Sequence, residues 1–335
     1  MPTDRPTLAD VLAAATVIRG RADATPLVPS QIPCLGQEML LKLELAQPMG
    51  AFKLRGALNA LAALPPGAPG VVCCSTGNHG RAVAYAARQR GLRAVVCLSA
   101  LVPAAKVEGI RALGAEVRII GRSQDDAAAE SRALVAAEGL VEIPPFDDAS
   151  VIAGQGTIGL ELLLARPDLS TLLVPLSGGG LAAGVALAAK TMKPGITVIG
   201  ISMDRGAAMQ ASLIAGHPVE VTEYPSLADS LGGGIGLGNR LTFAMCRELL
   251  DDVVLVSETA IRDAMQALFH HDRLVAEGAS VVGLAAVMSG ALRLSGPTAT
   301  ILTGRNTDMT TFADLVAGRD LHLGEVTLKG TRHAA

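Results

Sequence analysis

The sequence predicts a two-lobed α/β protein, each lobe a mostly parallel sheet flanked by helices. Three observations lead there. The chain has 335 residues, more than the roughly 250–300 at which a single hydrophobic core stops growing. Short β-like runs alternate with Ala-rich stretches of helical length, the pattern of βαβ units and a parallel sheet. Half of the residues are hydrophobic and only 18% are charged, enough apolar material for two cores and too little charge for disorder.

In the first series, strands are expected at Gly70 to Ser75, Arg93 to Leu98 and Glu116 to Ile120. Each is followed by a helix: from about Gly80, over Ala104 to Leu113, and over Asp125 to Glu138. A second series begins at Thr171 to Pro175, continues with a helix after Gly180, and adds strands at Ile196 to Ile201 and Val253 to Val256. Helices over Glu258 to His270 and Ser280 to Leu294, then a strand over Thr298 to Leu302, complete a doubly wound lobe with its loops at the strand ends.

Several function classes are excluded early. A net charge of -3 without a basic run, and 2% aromatics with no Trp, leave few phosphate contacts or base-stacking platforms, so no nucleic acid partner is expected. The start, Met1-Pro2-Thr3-Asp4-Arg5, lacks the apolar core of a signal peptide, and no apolar run reaches the ~18 to 20 residues that span a bilayer. A cytoplasmic protein without a membrane partner is therefore expected. The five cysteines, Cys34, Cys73, Cys74, Cys97 and Cys246, form no CxxC pair and read as core thiols.

Four segments carry chemistry. In Gly50-Ala51-Phe52-Lys53-Leu54-Arg55-Gly56, Lys53 sits at the mouth of a helix, where the positive end of the dipole favours a neutral, nucleophilic amine. Alone it would also read as a surface lysine. Ser75, Thr76, Gly77, Asn78 and His79 join a strand to the next helix, a turn whose hydroxyls and backbone N–H groups suit a substrate carboxylate. Asn78 can hydrogen-bond a phenolic oxygen, and His79 either orients the loop or packs structurally. Ser177, Gly178, Gly179 and Gly180 open another helix and can wrap a phosphate. They also resemble a degenerate dinucleotide loop, with Asp204 near the distance expected for a ribose contact, so a nicotinamide enzyme competes. In Leu302-Thr303-Gly304-Arg305-Asn306, the strand-end Thr303 offers one neutral hydrogen bond to a ring nitrogen, and Arg305 either pairs with a second charged group of the substrate or with Asp308.

Together the segments resemble the tryptophan-synthase-β-like, fold type II enzymes that use pyridoxal phosphate, and within them the serine/threonine dehydratase and serine racemase family. The resemblance runs from about Thr7 to Val316. It rests on Phe52-Lys53-x-Arg55-Gly56, Gly77-Asn78-His79-Gly80, the glycine loop at 177–180, Glu277-Gly278-Ala279 and Thr303-Gly304-x-Asn306, in the family's order and approximate spacing. It implies pyridoxal 5'-phosphate as cofactor, Lys53 as the Schiff-base lysine, Asn78 on the ring hydroxyl, Ser177 to Gly180 on the phosphate and Thr303 on the pyridine nitrogen. It also implies a homodimer, with a small mobile domain over 49–151 inserted into a large cofactor-binding domain of 1–48 plus 152–335.

The implied reaction removes water from a 3-hydroxy amino acid to give a 2-oxo acid and ammonia, with Lys53 as base. Departures from the family pattern refine this. Thr76 stands where racemases carry the hydroxyl that reprotonates the second face; it can still act as a catalytic hydroxyl, but the change weighs against a racemase. Ile201-Ser202-Met203-Asp204-Arg205 replaces the segment bearing a racemase metal ligand, so no metal is expected. With Ser75 to Ala84 and Ser202 to Met209, these departures look most like the dehydratases of hydroxyectoine breakdown, which implies a hydroxylated diamino acid or a derivative of one as substrate. A racemase, a nicotinamide dehydrogenase and a non-catalytic cofactor carrier are the alternatives.

Overall fold

The computed structural model describes residues 5–35, 39–75, 77–100, 102, 104–122 and 124–332. The chain begins with α1 (Leu8–Ile18) and two short antiparallel strands, β1 (Leu27–Pro29) and β2 (Met39–Lys42). Helix α2 (Lys53–Ala62) leads into β3 (Val71–Cys74), α3 (Asn78–Gln89), β4 (Ala94–Leu98) and α4 (Ala104–Arg111). This run ends with β5 (Glu116–Ile119), α5 (Gln124–Glu138) and β6 (Val141–Glu142). The long helix α6 (Ala149–Ala165) precedes β7 (Thr171–Pro175), α7 (Gly180–Met192), β8 (Thr197–Met203), α8 (Ala208–Ala215), α9 (Thr242–Leu249) and β9 (Asp252–Val256). Helices α10 (Glu258–Ala267) and α11 (Val282–Met288), strand β10 (Thr298–Ile301), helix α12 (Met309–Val316) and the hairpin of β11 (Leu321–Leu323) and β12 (Val326–Leu328) complete it.

Two sheets result. One has the order β5-β4-β3-β6 and is parallel throughout; the other has the order β1-β2-β10-β7-β8-β9 and is parallel except for β1. Strands of a parallel sheet covered on both faces need apolar side chains at every position. In β3, Val71 and Cys73 accordingly pack beside α2 and α3, while Val72 packs against Ala127 and Leu134 of α5. The smaller sheet uses only residues 71–142, whereas the larger takes strands from both sides of that stretch.

Helix α6 was not anticipated from the sequence, because three glycines depress its helix propensity. Those glycines are what the packing requires. A Cβ on Gly154 would lie 2.7 Å from Arg55 O, and one on Gly184 of α7 would lie 2.3 Å from Ile152 O. Backbone therefore meets backbone on both sides of α6, which joins α2 to α7.

Two expected helices end early. The helix expected over Ser280 to Leu294 is a 3-10 turn at Gly278–Ser280 followed by α11, and Gly290, at φ 77°, stops it after Met288. The helix expected to reach His270 widens into a π turn over Leu268–Asp272, closed by Arg273 at φ 60°. The helix expected from Gly80 starts at Asn78. Cys73, Cys97 and Cys246 are buried, and burial pushes the thiols of Cys97 and Cys246 up to about 12; Cys34 is exposed, so it is not a core thiol.

Beneath α2 lies a closed ionic cluster. Arg55 is 1% exposed and Glu44 fully buried. Arg55 Nε and Nη2 each donate to Glu44 at 2.8 Å, Nη1 donates to Glu161 Oε1 at 2.6 Å and to Thr157 Oγ1 at 3.1 Å, and Nη2 also reaches Asp23 O at 3.0 Å. Lys42 Nζ bridges Glu161 Oε2 at 2.5 Å and Thr25 O at 2.6 Å. Burial would raise the Glu44 pKa, but Arg55 and then Lys42 outweigh it and hold the carboxyl below its ordinary value. Removing one partner strands a buried charge, so Arg55→Met should lower stability by about 3–5 kcal/mol in urea unfolding. Because the folded pKa of Glu44 is depressed, its contribution is full above the unfolded value of ~4.3 and is lost as pH falls through the lower folded value. A loss well under ~1 kcal/mol, the worth of an exposed pair, would show that the cluster is not closed.

Candidate active site

Four turns meet at the C-terminal edges of the strands. Lys53 is the first residue of α2, and its approach is fixed by an antiparallel bridge between Ala51 and Gly304. The Phe52 N–H donates to Thr303 O at 2.9 Å and the Arg305 N–H to Gly50 O at 3.0 Å. The backbones that carry Lys53 and Thr303 are thus held in register. Gly50 has φ +82°, and a Cβ there would lie 2.9 Å from Asn306 Oδ1, so only glycine fits this crossing.

Lys53 Nζ donates to Pro145 O at 2.6 Å and lies 5.3 Å from the centre of the Phe52 ring. Loss of water around the ammonium lowers its pKa from 10.5 to about 8. The sequence pointed to the helix terminus as the cause; burial in the cavity acts in the same direction.

The turn at 177–180 joins β7 to α7. Gly179 caps the helix at φ 88°, a left-handed conformation that a side chain disfavours. Phe146 presses on the same turn: a Cβ on Gly178 would come within 2.2 Å of its ring and one on Gly180 within 2.9 Å of its Cα. The first N–H groups of a helix lack intrahelical acceptors, and Ser177, Gly178, Gly179, Gly180 and Leu181 all line the cavity. An anion finds backbone donors and a hydroxyl there.

Asn78 is gripped at both ends. Its Nδ2 donates to the Glu277 carboxylate at 2.8 and 3.1 Å, and its Oδ1 accepts from Asn306 Nδ2 at 2.7 Å. Thr303 Oγ1 lies 3.0 Å from Ser280 Oγ, which donates to Gly304 O and accepts from the Gly304 N–H, both at 2.7 Å. The one hydrogen of Ser280 is committed to Gly304, so the Thr303 hydroxyl keeps its proton for Ser280 or for an acceptor in the cavity. His79 is buried with Nε2 2.7 Å from Ile143 O. A carbonyl only accepts, so Nε2 carries the proton; burial, then the charge of Lys53, lower the ring pKa to about 3 and keep it neutral.

These groups share one cavity of about 680 Å³, well within the range of cofactor sites. It brings together Lys53, Ser75, Gly77, Asn78, His79, Ser177, Gly178, Gly179, Gly180 and Thr303. Thr76 lies outside the described residues. Arg305 is exposed and is not among the cavity-lining residues, so the structure does not bring it to this site. Asp204, weighed as a ribose contact, is exposed and borders a separate depression with Arg205 and Arg262. Glu277, Asn306 and Ser280 complete the site. Glu277 stood in a motif as a residue that either orients the cofactor pocket or closes a helix-end contact, Asn306 stood in one without a role, and no motif pointed to the wall formed by Glu223, Tyr224 and Asp229.

The donor set fits a pyridoxal phosphate: a low-pKa amine, a helix-terminal cradle without Cβ atoms, an amide and a neutral hydroxyl around one cavity. The family model described as pyridoxal-phosphate dependent enzyme matches residues 18–304. The chain belongs to that family, and its cofactor is pyridoxal 5'-phosphate. The chain is similar to a Sinorhizobium fredii protein that carries a provisional threonine dehydratase name, 54% identical over 88% of this chain and 90% of that one. It is 37% identical to the catabolic L-threonine dehydratase of Escherichia coli over 91% and 94% of the two chains. Among solved structures, maize serine racemase superposes with a TM-score of 0.87 at 33% identity, covering 92% of this chain and 96% of that one.

Only a neutral amine attacks a carbonyl, so cofactor uptake by the stripped protein should accelerate as pH rises through about 8, the Lys53 value, and level off above it. Borohydride should then fix the cofactor to Lys53, and Lys53→Ala should retain none. A midpoint near 10.5, the unperturbed lysine value, would show that burial does not tune this amine.

Proposed function

We propose that this chain is a dehydratase that eliminates water from a 3-hydroxy amino acid of the threonine or serine type, releasing a 2-oxo acid and ammonia. The observation that carries the proposal is the placement of a low-pKa lysine, Lys53, in one cavity with a neutral hydroxyl, Thr303, and a helix-terminal anion cradle. Pyridoxal phosphate supplies the electron sink that makes a Cα proton removable. Ser177 and the N–H groups of Gly178 to Gly180 would hold its phosphate, Asn78 would orient its ring and Thr303 would donate to its ring nitrogen. Lys53, as a neutral amine, takes the Cα proton. A hydroxyl, unlike a carboxylate, does not hold a ring nitrogen protonated, which favours prompt loss of the β-hydroxyl over slower carbanion chemistry. The Cα proton and the β-hydroxyl together leave as water, and the released enamine becomes an imine that hydrolyses to the 2-oxo acid and ammonia.

Racemisation requires a second acid–base group across from Lys53. The His79 ring does not qualify, because its Nε2–H is committed to Ile143 O and its pKa lies near 3. Ser75 and Thr76 bind the substrate carboxylate with the Gly77 N–H, and Thr76 acts as the second hydroxyl of the site. In this reading residues 49–151 form the small mobile domain and 1–48 plus 152–335 the large one. The chain works in the cytoplasm as a homodimer, and its physiological substrate is a hydroxylated diamino acid of hydroxyectoine breakdown.

The purified holoenzyme should release ammonia and 2-oxo acid in equal amounts from threonine, serine or hydroxylated diaminobutyrate. Recovery of the mirror-image amino acid with no ammonia would replace the dehydratase by a racemase; neither product from any of them would leave a cofactor carrier.

A further inference from the structure

Arg81, on α3 one turn beyond Asn78, is the one guanidinium among the described cavity-lining residues. It is half-buried, its Nε is sealed from solvent without a hydrogen-bond partner, and no ion pair of the described residues includes it. Burial lowers its pKa. Sealing a guanidinium N–H from solvent without giving it an acceptor is unfavourable, so the placement of Nε requires a reason. The neighbouring helix makes room for it: a Cβ on Gly109 of α4 would lie 2.4 Å from Arg81 Nη1. The wall contributed by residues 223–233 carries Glu223 and Asp229 instead, so an acceptor-bearing end of a ligand is drawn towards α3 and repelled from that wall.

Resting on the dehydratase reading, we infer that Arg81 is a specificity-determining residue that selects 3-hydroxy amino acids whose side chain ends in an oxygen acceptor, either a carboxylate or an acyl carbonyl. The planar fork of arginine matches a carboxylate with two parallel hydrogen bonds and a carbonyl with one. In that reading the reacting amino group, carboxylate and hydroxyl are engaged by the side of the cavity that carries Lys53, Ser75, Gly77 and Asn78. Arg81 therefore reads the part of the substrate beyond the reacting hydroxyl.

The test compares the holoenzyme with Arg81→Gln and Gly109→Ala on threonine, 3-hydroxyaspartate and N4-acetyl-3-hydroxy-2,4-diaminobutyrate, with succinate and butyrate as unreactive probes in titration calorimetry. The ratio of kcat/KM for an acceptor-bearing substrate over threonine should fall roughly 10- to 100-fold in Arg81→Gln, the worth of a charge-assisted hydrogen bond. Gly109→Ala, which displaces the guanidinium but keeps it, should shift the ratio in the same direction. Which of the two acceptor substrates has the larger wild-type ratio identifies carboxylate or acyl recognition. An unchanged ratio in both variants, or a wild type that prefers threonine over both, overturns the assignment while leaving the dehydratase reading intact. If no substrate releases ammonia, that reading fails, and the calorimetry decides alone: preference for succinate over butyrate that disappears in Arg81→Gln supports the assignment, and its persistence sinks it.

Discussion

Arg55 is the residue around which this structure is arranged. A guanidinium keeps its charge at any pH a protein survives and presents five N–H donors, so burying one obliges the surrounding chain to deliver acceptors from fixed directions. Here they come from three separate parts of the sequence: Glu44 after β2, Glu161 and Thr157 of α6, and the Asp23 carbonyl near the start. Satisfying Arg55 therefore sets how α2 lies against α6 and β2. Because Lys53 stands two residues earlier on the same helix, its position follows from that arrangement. The Lys53 amine is placed by a network it does not touch.

The remaining groups reach the cavity by the logic of parallel sheets. Strands running the same way release their turns at one edge, where helix N-termini also gather. The turns after β3 and β7 thus bring Asn78 and the glycine cradle to one place, from different sheets. The bridge between Ala51 and Gly304 then couples the Lys53 segment to the Thr303 turn, and Glu277 and Asn306 grip Asn78 from the β10 side. The groups assigned to the base, the ring and the ring nitrogen are linked through backbone and amide hydrogen bonds, so none can shift without disturbing the others.

The sequence revealed those parts whose chemistry shows in residue type. Continuous apolar runs such as Val95 to Leu98 announced the buried parallel strands, and the glycines after β7 announced the cradle. Helix α6 stayed hidden because its Gly154 and Gly156 lower the local propensity in order to permit contacts that exist only in three dimensions. Glu277 stood in a motif, yet its partner, Asn78, lies 199 positions away, and no local pattern specifies such a pairing. Arg305 was singled out because a motif surrounded it, and it proved exposed. Arg81 stood in a segment that carried the resemblance but was given no site role, and it lines the cavity.

Arg55 and Arg81 separate structural from functional use of one side chain. Both have lost water, and desolvation is unfavourable to both. For Arg55 the fold returns every lost contact, so the pair of carboxylates raises its pKa despite burial. Arg81 stays half-exposed, its sealed Nε meets no acceptor, and its pKa is lowered by burial alone. Lys53 belongs with Arg81: it too is desolvated without a carboxylate, and its lowered pKa is what readies the amine. A fold that can surround Arg55 with acceptors is able to pair a cation when pairing serves stability. Lys53, whose ammonium meets only the Pro145 carbonyl as acceptor among the described residues, and Arg81, whose Nε meets no acceptor, both lie on the wall of one cavity, where a ligand can complete them.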